Sequence, residues 1–166
     1  MAQAFVAVGS NINPEVNVRA AVRVLAERVH VVAVSTVYRT EPEGPPGQPP
    51  FYNCVIEVTT DIPPHEFKFE VLRPIESELG RKRTSDKYAP RTIDLDLILY
   101  NDLVLNTDGL VLPDPDIRNR PFFTVPLAEL APDLTLPGTN VRIAELAAAL
   151  RTGKMQPVDP VILSGF

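Results

Sequence analysis

The sequence has few of the residues on which several kinds of site depend. Its 166 residues include one cysteine, Cys54, and two histidines, His30 and His65. A single cysteine excludes an internal disulfide, which is typical of proteins from a reducing compartment, and we expect Cys54 to be a small core residue. Both histidines lie far in sequence from the acidic segment described below, so we expect neither a zinc site nor a Ser–His triad.

Long apolar runs and an excess of basic residues are also missing. No segment approaches the roughly 20 apolar residues of a membrane-spanning helix, and the first residues lack the basic start and apolar stretch of a signal peptide. The formal net charge is −5, which disfavours binding to duplex nucleic acid or to an anionic membrane. We therefore expect a cytoplasmic protein, a monomer rather than a dimer, with no nucleic-acid or membrane partner.

Proline is abundant instead, with 18 residues that cluster in turns and loops between apolar segments. A length of 166 residues predicts a single domain over residues 1–166, and apolar periodicity predicts its elements. The predicted strands cover 4–8, 29–38, 53–60, 92–100 and 110–112, and the predicted helices cover 14–28, 63–79, 122–130 and 143–150. We expect Pro74 to kink the second helix or remove one of its hydrogen bonds, and we expect loops over 39–50 and 81–90.

The first six elements run β-α-β-β-α-β along the chain. This order predicts an α+β fold of the ferredoxin-like type, an antiparallel sheet with helices on one face, followed by a C-terminal hairpin and helices. That fold serves many functions, so the function has to come from the site residues.

The sharpest local feature is a pair of aspartates, Asp94 and Asp96, within the predicted strand 92–100. Alternation along a strand places both carboxylates on one face and Leu95, Leu97 and Leu99 on the other. At roughly 7 Å separation their repulsion is on the order of 2 kcal/mol. A divalent cation would offset it, and hard oxygen ligands suit magnesium. The alternative is a pair of surface aspartates that arginine or lysine residues neutralise.

Positive charge precedes this strand, at Arg81, Lys82, Arg83, Lys87 and Arg91. A metal on some oxygens and guanidinium groups on others is the combination that binds polyphosphate. The P-loop motif and the protein-kinase motifs are both absent. The alternative for the basic segment is an ordinary solvated loop.

A third pattern follows the proline-rich loop, where Phe51 and Tyr52 precede Asn53. An amide presents both donor and acceptor to the edge of a flat heterocycle, and an aromatic ring stacks on its face. The segment 112–123 adds Arg118, Arg120 and another aromatic pair. The alternative for both segments is that their aromatic residues bind no ligand and pack into the core at the ends of loops.

Together these segments resemble the 6-hydroxymethyl-7,8-dihydropterin pyrophosphokinase family of folate biosynthesis. The matching motifs are FVAVGSN at 5–11, STVYRTEP at 35–42, FYN at 51–53, PRTIDLDLILY at 90–100 and VPLAELAP at 125–132. The resemblance implies diphosphate transfer from ATP to the pterin alcohol, with AMP as the second product.

The resemblance also implies roles for individual residues. Asp94 and Asp96 would hold two Mg²⁺ ions on ATP, the co-substrate, and with Arg81 and Arg91 they form the expected catalytic set. Pterin contacts fall on Thr40, Phe51, Asn53 and Phe122. Nucleotide contacts fall on Glu76, Arg83, Arg91 and Arg120. Loops 39–50 and 81–90 would act as lids, and protease sensitivity that ignores both substrates would count against that role.

Several positions depart from the family pattern. Asp114 stands where the family usually has histidine, Tyr88 where tryptophan is common, Thr84 where lysine is frequent, and Gly109 where a basic residue can occur. The lost positive charge predicts weaker ATP binding. Two other functions remain open, a catalytically impaired paralogue that still binds pterin and a module that binds single-stranded nucleic acid.

Overall fold

The computed structural model describes residues 1–42, 44, 46–82, 85 and 90–165. The strands are β1 (Ala2–Ser10), β2 (His30–Val34), β3 (Tyr38–Thr40), β4 (Phe51–Thr60), β5 (Asp94–Tyr100), β6 (Leu105–Thr107), β7 (Leu110–Leu112) and β8 (Met155–Pro157). The helices are α1 (Pro14–Arg28), α2 (Pro64–Glu66), a π-helical segment (Phe67–Leu72), α3 (Arg73–Glu78), α4 (Pro121–Leu130) and α5 (Ile143–Leu150), with 3₁₀ turns at Pro115–Arg118 and Pro160–Leu163.

The main sheet has the order β5-β1-β4-β3-β8, with β2 also paired to β4. Every pairing in it is antiparallel. The predicted ferredoxin-like sheet is therefore confirmed. The predicted strand 110–112 is present as β7, but it pairs with β6, for which the sequence predicted no strand, in a separate two-stranded hairpin. In this register Gly9 on the central strand lies between Asn53 on one side and Asp94 on the other.

The two faces of the sheet carry two separate apolar clusters. On the first face Ala4, Val6 and Val8 of β1 pack with buried residues of α1, the π-helical segment and α3. On the second face Phe5 and Ala7 pack with residues of α4 and α5. Alternate residues of one strand therefore belong to different cores, as the two-residue period of a strand requires. The helices of the ferredoxin-like unit lie on one face, and the C-terminal helices cover the other.

The second predicted strand is interrupted. Residues 35–37 leave the ladder between β2 and β3, and the Ser35 side chain takes part in the pairing instead. Its hydroxyl oxygen accepts the Val55 N–H at 2.9 Å, while the Ser35 N–H donates to the Val55 carbonyl at 2.9 Å. Strand β3 then runs on to Thr40, two residues into the predicted loop. The C-terminal segment, for which the sequence predicted no structure, contributes β8 at the edge of the sheet.

Prediction and structure also differ at Leu99. The predicted alternation put Leu99 on the face opposite Asp94, yet Leu99 and Ile98 both belong to the second cluster. A register shift opposite Phe5 and Val6 is the reason, because an extra residue in one strand reverses the alternation beyond it. Leu95 and Leu97 lie on the first face, as predicted.

The helical stretch that begins with α2 changes from α-helical to π-helical geometry ahead of Pro74. Proline lacks an N–H and clashes with the carbonyl four residues earlier, and the π-helical segment directly precedes it, with the Arg73 N–H donating to the Lys68 carbonyl. The stretch ends in a Schellman motif, in which Gly80 (φ +89°) donates to Ser77 and Arg81 donates to Glu76. Within the described ranges, the helices are all too short or too polar to cross a membrane.

Candidate active site

A cavity of about 480 Å³ opens on the second face of the sheet, next to the N-terminal end of α4. Strand ends form its floor, and the N-terminal end of α4 forms one wall. Nine of the residues singled out in the sequence line it: Thr40, Phe51, Asn53, Arg81, Arg91, Asp94, Asp96, Arg120 and Phe122. These residues come from four separate stretches of the chain, which the sheet topology brings to one place.

The floor of the cavity is one row across three neighbouring strands. Asn53 of β4 and Asp94 of β5 flank Gly9 of β1. Two strand spacings separate the amide from the carboxylate, which is roughly 10 Å at the backbone. Gly9 keeps the floor open, because a Cβ atom there would lie 2.8 Å from Asn53 Oδ1. The row therefore has an amide at one end, a carboxylate at the other and free space between.

The amide end is well ordered. Asn53 Nδ2 donates to Thr40 Oγ1 at 2.7 Å, and both residues are buried. This bond orients the amide and leaves Asn53 Oδ1 toward Gly9. Phe51 lies opposite Thr40 in the β3–β4 ladder. Phe122, on α4, makes an edge-to-face contact with Phe123, with ring centroids 5.4 Å apart. Three aromatic rings and one oriented amide therefore line this end.

The carboxylate end contains arginine residues already paired to Asp94. Arg81 Nη1 lies 2.5 Å from Asp94 Oδ1, and Arg91 Nη1 lies 2.9 Å from Asp94 Oδ2. Neutralisation by arginine, the alternative to a metal, is thus realised for Asp94, with Arg91 as one of the partners. It is not realised in the same way for Asp96, whose side chain makes no hydrogen bond or ion pair with the described residues.

Asp96 is in an unfavourable environment for a charge. Burial, and then the negative charges of Asp94, Asp114 and Glu76, raise the pKa of its carboxyl to about 7. A divalent cation bound to Asp96 would offset the cost of ionising this carboxyl, because its positive charge favours the carboxylate form. Two carboxylates are the protein ligands that Mg²⁺ typically takes, with phosphate and water oxygens completing its shell. The donor set present here therefore fits a magnesium–phosphate group.

Glu76 lies behind the cavity instead of lining it. Its buried carboxylate accepts from Arg73 Nη1 at 2.8 Å, from Arg81 Nη1 at 3.3 Å and from the Leu95 N–H at 2.9 Å. The Schellman motif at the end of α3 places Arg81 next to it. Glu76 therefore orients Arg81 toward Asp94, which is a different contact from the nucleotide contact predicted for it.

Asp114, the departure from the family pattern, faces a second and smaller cavity. That cavity, of about 310 Å³, is also lined by Asp96 and Lys68. Asp114 Oδ1 accepts the Asp116 N–H at 2.9 Å and caps the 3₁₀ turn Pro115–Arg118. Burial raises the pKa of the Asp114 carboxyl. The carboxylate is thus partly used in the local turn, but its charge is felt at Asp96.

The lining residues that were not singled out in the sequence include Arg73, Gly9 and Gln48. Arg73 could have been found, because it precedes Glu76 by three residues on a predicted helix and their charges are opposite. Gly9 at the end of a strand was a further signal for a close approach. Nothing in the sequence marked Gln48, whose Oε1 atom is buried and has no hydrogen-bond partner among the described residues.

Some predicted residues lie outside the described residues. They are Arg83, the proposed nucleotide contact, together with Thr84, Lys87 and Tyr88. Most residues of the predicted lid 81–90 likewise lie outside the described residues.

Comparison with known proteins gives consistent matches. Residues 5–132 match the family described as 7,8-dihydro-6-hydroxymethylpterin-pyrophosphokinase (HPPK). A 2-amino-4-hydroxy-6-hydroxymethyldihydropteridine pyrophosphokinase of Haemophilus influenzae is 36% identical over 163 residues, covering 96% of this chain and 100% of the relative. The protein of the same name from Methylorubrum extorquens is 41% identical over 147 residues, covering 87% and 92%.

The fold also matches solved structures. The HPPK-DHPS protein of Plasmodium falciparum with pteroate superposes with a TM-score of 0.71 at 14% identity. The match covers 89% of this chain and 42% of that one, so this chain spans less than half of the larger protein. At this identity the likeness supports the fold alone. The family match and the two bacterial relatives go further, and on them the chain belongs to the 7,8-dihydro-6-hydroxymethylpterin-pyrophosphokinase family.

Proposed function

We propose that this protein transfers diphosphate from ATP to 6-hydroxymethyl-7,8-dihydropterin and releases AMP. The observation that carries the proposal is the row of Asn53, Gly9 and Asp94 on the cavity floor. A flat heterocycle whose edge meets the amide would extend over Gly9 and direct its hydroxymethyl group toward the aspartates. The span of roughly 10 Å between the two ends suits a bicyclic ring with one short substituent.

The amide end would bind the pterin. Asn53 can both donate to and accept from the ring edge, and its bond to Thr40 holds it in one orientation. Phe51 and Phe122 would contact the faces of the ring. This arrangement costs little on binding, because the strand residues are already in place.

The carboxylate end would bind the triphosphate. Asp94 and Asp96 would hold Mg²⁺, and we expect two ions, which neutralise phosphate oxygens and the charge that develops on them. With Asp94 engaged in this way, Arg81 and Arg91 would turn from the carboxylate to the phosphate oxygens. Arg120, which now contacts Asp116 at 3.2 Å, would add a third guanidinium group. Arg83 keeps its predicted nucleotide role.

The chemical step needs alignment more than acid–base chemistry. The hydroxymethyl oxygen forms a bond to the β-phosphorus of ATP as the bond from that phosphorus to the oxygen it shares with the α-phosphate breaks. The oxygen that remains on the α-phosphate leaves with AMP, and the hydroxyl proton passes to solvent or phosphate. The side chains at both ends hold the two reactants in line, which is the main contribution of proteins to phosphoryl transfer.

A second function has a specific observation in its favour. Asp114 adds negative charge beside Asp96, which opposes ATP binding. A protein that binds the pterin but does not transfer diphosphate would result if nothing offsets this charge. The two functions differ in one product, AMP.

The test is AMP release from ATP and Mg²⁺ with and without the pterin alcohol. We expect AMP only when the pterin is present, in an amount equal to the diphosphorylated pterin. AMP that forms without pterin, or pterin binding without AMP, would contradict the proposal. Asp102→Ala, in the exposed turn after β5, is a suitable control for the handling of variants.

The remaining expectations are proposals as well. We propose one pyrophosphokinase domain over residues 1–166, in a cytoplasmic monomer that binds no nucleic acid. Elution of the protein as a dimer, or retention of labelled single-stranded RNA at physiological salt, would contradict them.

A further inference from the structure

Lys68, on the π-helical segment, is held beside the second cavity by contacts of its own side chain. Its Nζ donates to the Gly109 carbonyl, in the turn between β6 and β7, and lies 5.3 Å from the centroid of the Phe69 ring. A Cβ atom at Gly109 would lie 2.9 Å from Phe69 Cζ. The turn therefore leaves room for the Phe69 ring, and the carbonyl and the ring together fix the ammonium group at one place.

This ammonium group borders the same cavity as two carboxylates. The cavity is lined by Lys68 from the π-helical segment, by Asp96 from β5 and by Asp114 at the start of the 3₁₀ turn. Lys68 is the only cation among the described residues that line it. Asp96 also lines the larger cavity, so this carboxylate borders both spaces. One positive charge therefore faces two negative charges, next to a proposed ligand of the metal.

The charge of Lys68 acts on Asp114. Burial raises the pKa of the Asp114 carboxyl, and the charge of Asp116 raises it further, although the Asp116 N–H bond lowers it. The positive charges of Lys68 and Arg120 also lower this pKa. Arg120 is paired with Asp116 at 3.2 Å and belongs to the proposed nucleotide contacts, so phosphate oxygens would engage its guanidinium group. Lys68 is outside that set of contacts, and its charge stays beside Asp114 when the nucleotide binds.

We infer that Lys68 offsets the negative charge of Asp114 and thereby preserves the binding of Mg²⁺ and ATP beside Asp96. This role rests on the proposed function, which by itself assigns nothing to Lys68. Opposite charges on two elements that face one cavity leave little net repulsion for a polyphosphate, whereas Asp114 alone would repel it. The positive charge that positions 109 and 114 lack is thus supplied from a third position in the chain.

The experiment measures, by titration calorimetry with Mg²⁺, the affinity for α,β-methylene-ATP, in which the bond that would break is blocked. In Lys68→Met, which removes the charge and keeps an unbranched side chain, the affinity should fall about tenfold. In Asp114→Asn, which keeps an acceptor for the Asp116 N–H, it should rise by a similar factor. The double variant should return to within about threefold of the wild type, because both charges are then absent.

Two further variants separate charge from packing. Lys68→Arg keeps the positive charge, so its nucleotide affinity should stay within about threefold of the wild type. Lys154→Met removes an exposed lysine that lines neither cavity, and its affinity should equal that of the wild type. The loss in Lys68→Met should shrink as the salt concentration rises. Pterin affinity without nucleotide should be the same in every variant, and the unfolding temperature shows that each one is folded.

The outcomes are distinct from those of the proposed function. Unchanged nucleotide affinity in Lys68→Met would overturn the role of Lys68. Lower affinity in Asp114→Asn would also overturn it, because Asp114 would then support the nucleotide or its metal instead of repelling phosphate. A double variant as weak as Lys68→Met would do the same, since Lys68 would act independently of Asp114. AMP release by the wild type beside any of these results leaves the reaction intact, whereas absence of AMP alone would count against the proposed function.

Discussion

The two faces of the sheet use the same strands for different purposes. On the first face, β1 presents Ala4, Val6 and Val8, and helices cover the whole row. On the second face, the row begins in the same way with Phe5 and Ala7 under α4 and α5. It then changes to Gly9, flanked by Asn53 and Asp94, where the cavity opens. The two faces therefore differ in how much of their surface the helices cover.

This comparison explains where charge can be accommodated. On the first face a carboxylate needs buried partners, as Glu76 has in Arg73 and Arg81, and without them its burial among aliphatic groups would cost several kcal/mol. On the second face Asp94 has two arginine partners, and Asp96 has a raised pKa. The first face should respond to mutation through stability, and the open part of the second face through activity.

The largest expected effect is that of Asp96→Ala. Turnover should fall about 100- to 1,000-fold, because one of two proposed metal carboxylates is lost. The free energy of unfolding should stay the same or rise slightly, since a buried charge next to other carboxylates is removed. AMP release and thermal unfolding measure the two effects. Near-normal turnover would refute the metal assignment, and Asp102→Ala serves as the matched control in the exposed turn that follows β5.

The opposite result is expected for Leu25→Ala on the first face. Leu25 is fully buried on α1, so its truncation should lower the free energy of unfolding by about 2–5 kcal/mol. Turnover per folded molecule should change by less than about twofold, since Leu25 packs in the first cluster and is not among the residues that line the cavity. Denaturant titration gives the stability. Val16→Ala, at an exposed position of the same helix, should be close to neutral.

A smaller effect on function is expected for Gly9→Ala. Gly9 lies on the second face, where the part of β1 that the helices cover meets the cavity. The added methyl group would meet Asn53 Oδ1 at 2.8 Å and push the amide aside. Pterin affinity should fall about tenfold, which corresponds to roughly 1.4 kcal/mol, while stability changes little because a side-chain end can move. Gly153→Ala, with nothing within 4 Å of the added atom, is the control. Equal pterin affinity in both variants would contradict the proposed position of the ring.

The most gradual effect concerns pH. The pKa of Asp96 is about 7 in the folded protein, against an ordinary value of 3.8. The folded state therefore holds this proton more tightly than the unfolded state, and the resulting stability is present below pH 4 and is lost as the pH rises through 7. In metal-free protein, this pH-dependent contribution to the free energy of unfolding should be absent from the Asp96→Asn variant.

The same proton should compete with metal. Mg²⁺ affinity, measured by calorimetry, should fall as the pH is lowered through 7, because the carboxyl must be deprotonated to bind. A Mg²⁺ affinity that does not change between pH 6 and pH 8 would contradict the involvement of Asp96.

Much of the fold could be predicted because it depends on local pattern. The strand around Asp94, the helix from Pro14 to Arg28 and the β-α-β-β-α-β order all follow from apolar periodicity and turn residues. The interruption at Ser35 and the reversal at Leu99 could not, since both depend on which residues lie opposite on the neighbouring strand. The placement of α4 and α5 on the second face is likewise a matter of packing.

The site divides in the same way. The candidate residues were recognisable from their chemistry and spacing, including Asp94, Asp96 and Asn53. Their partners were not, so the contacts of Glu76 with Arg73, Arg81 and the Leu95 N–H appear only in the structure, and its nucleotide role stays a prediction. Arg73 was overlooked although its spacing from Glu76 was a usable signal, whereas Gln48 is a single polar residue in a loop, which gives no sign of the side it faces.

The sequence by itself determined the acidic pair, the basic segment before it, the aromatic and amide residues, and the family to which they point. These properties belong to residue types and their order along the chain. Only the tertiary structure decided that Asn53, Gly9 and Asp94 form one row, and that Arg81 and Arg91 pair with Asp94 while the Asp96 side chain has no ion pair among the described residues. The physical reason is that register, burial and ion pairing are relations between distant segments, which exist only after the sheet has formed.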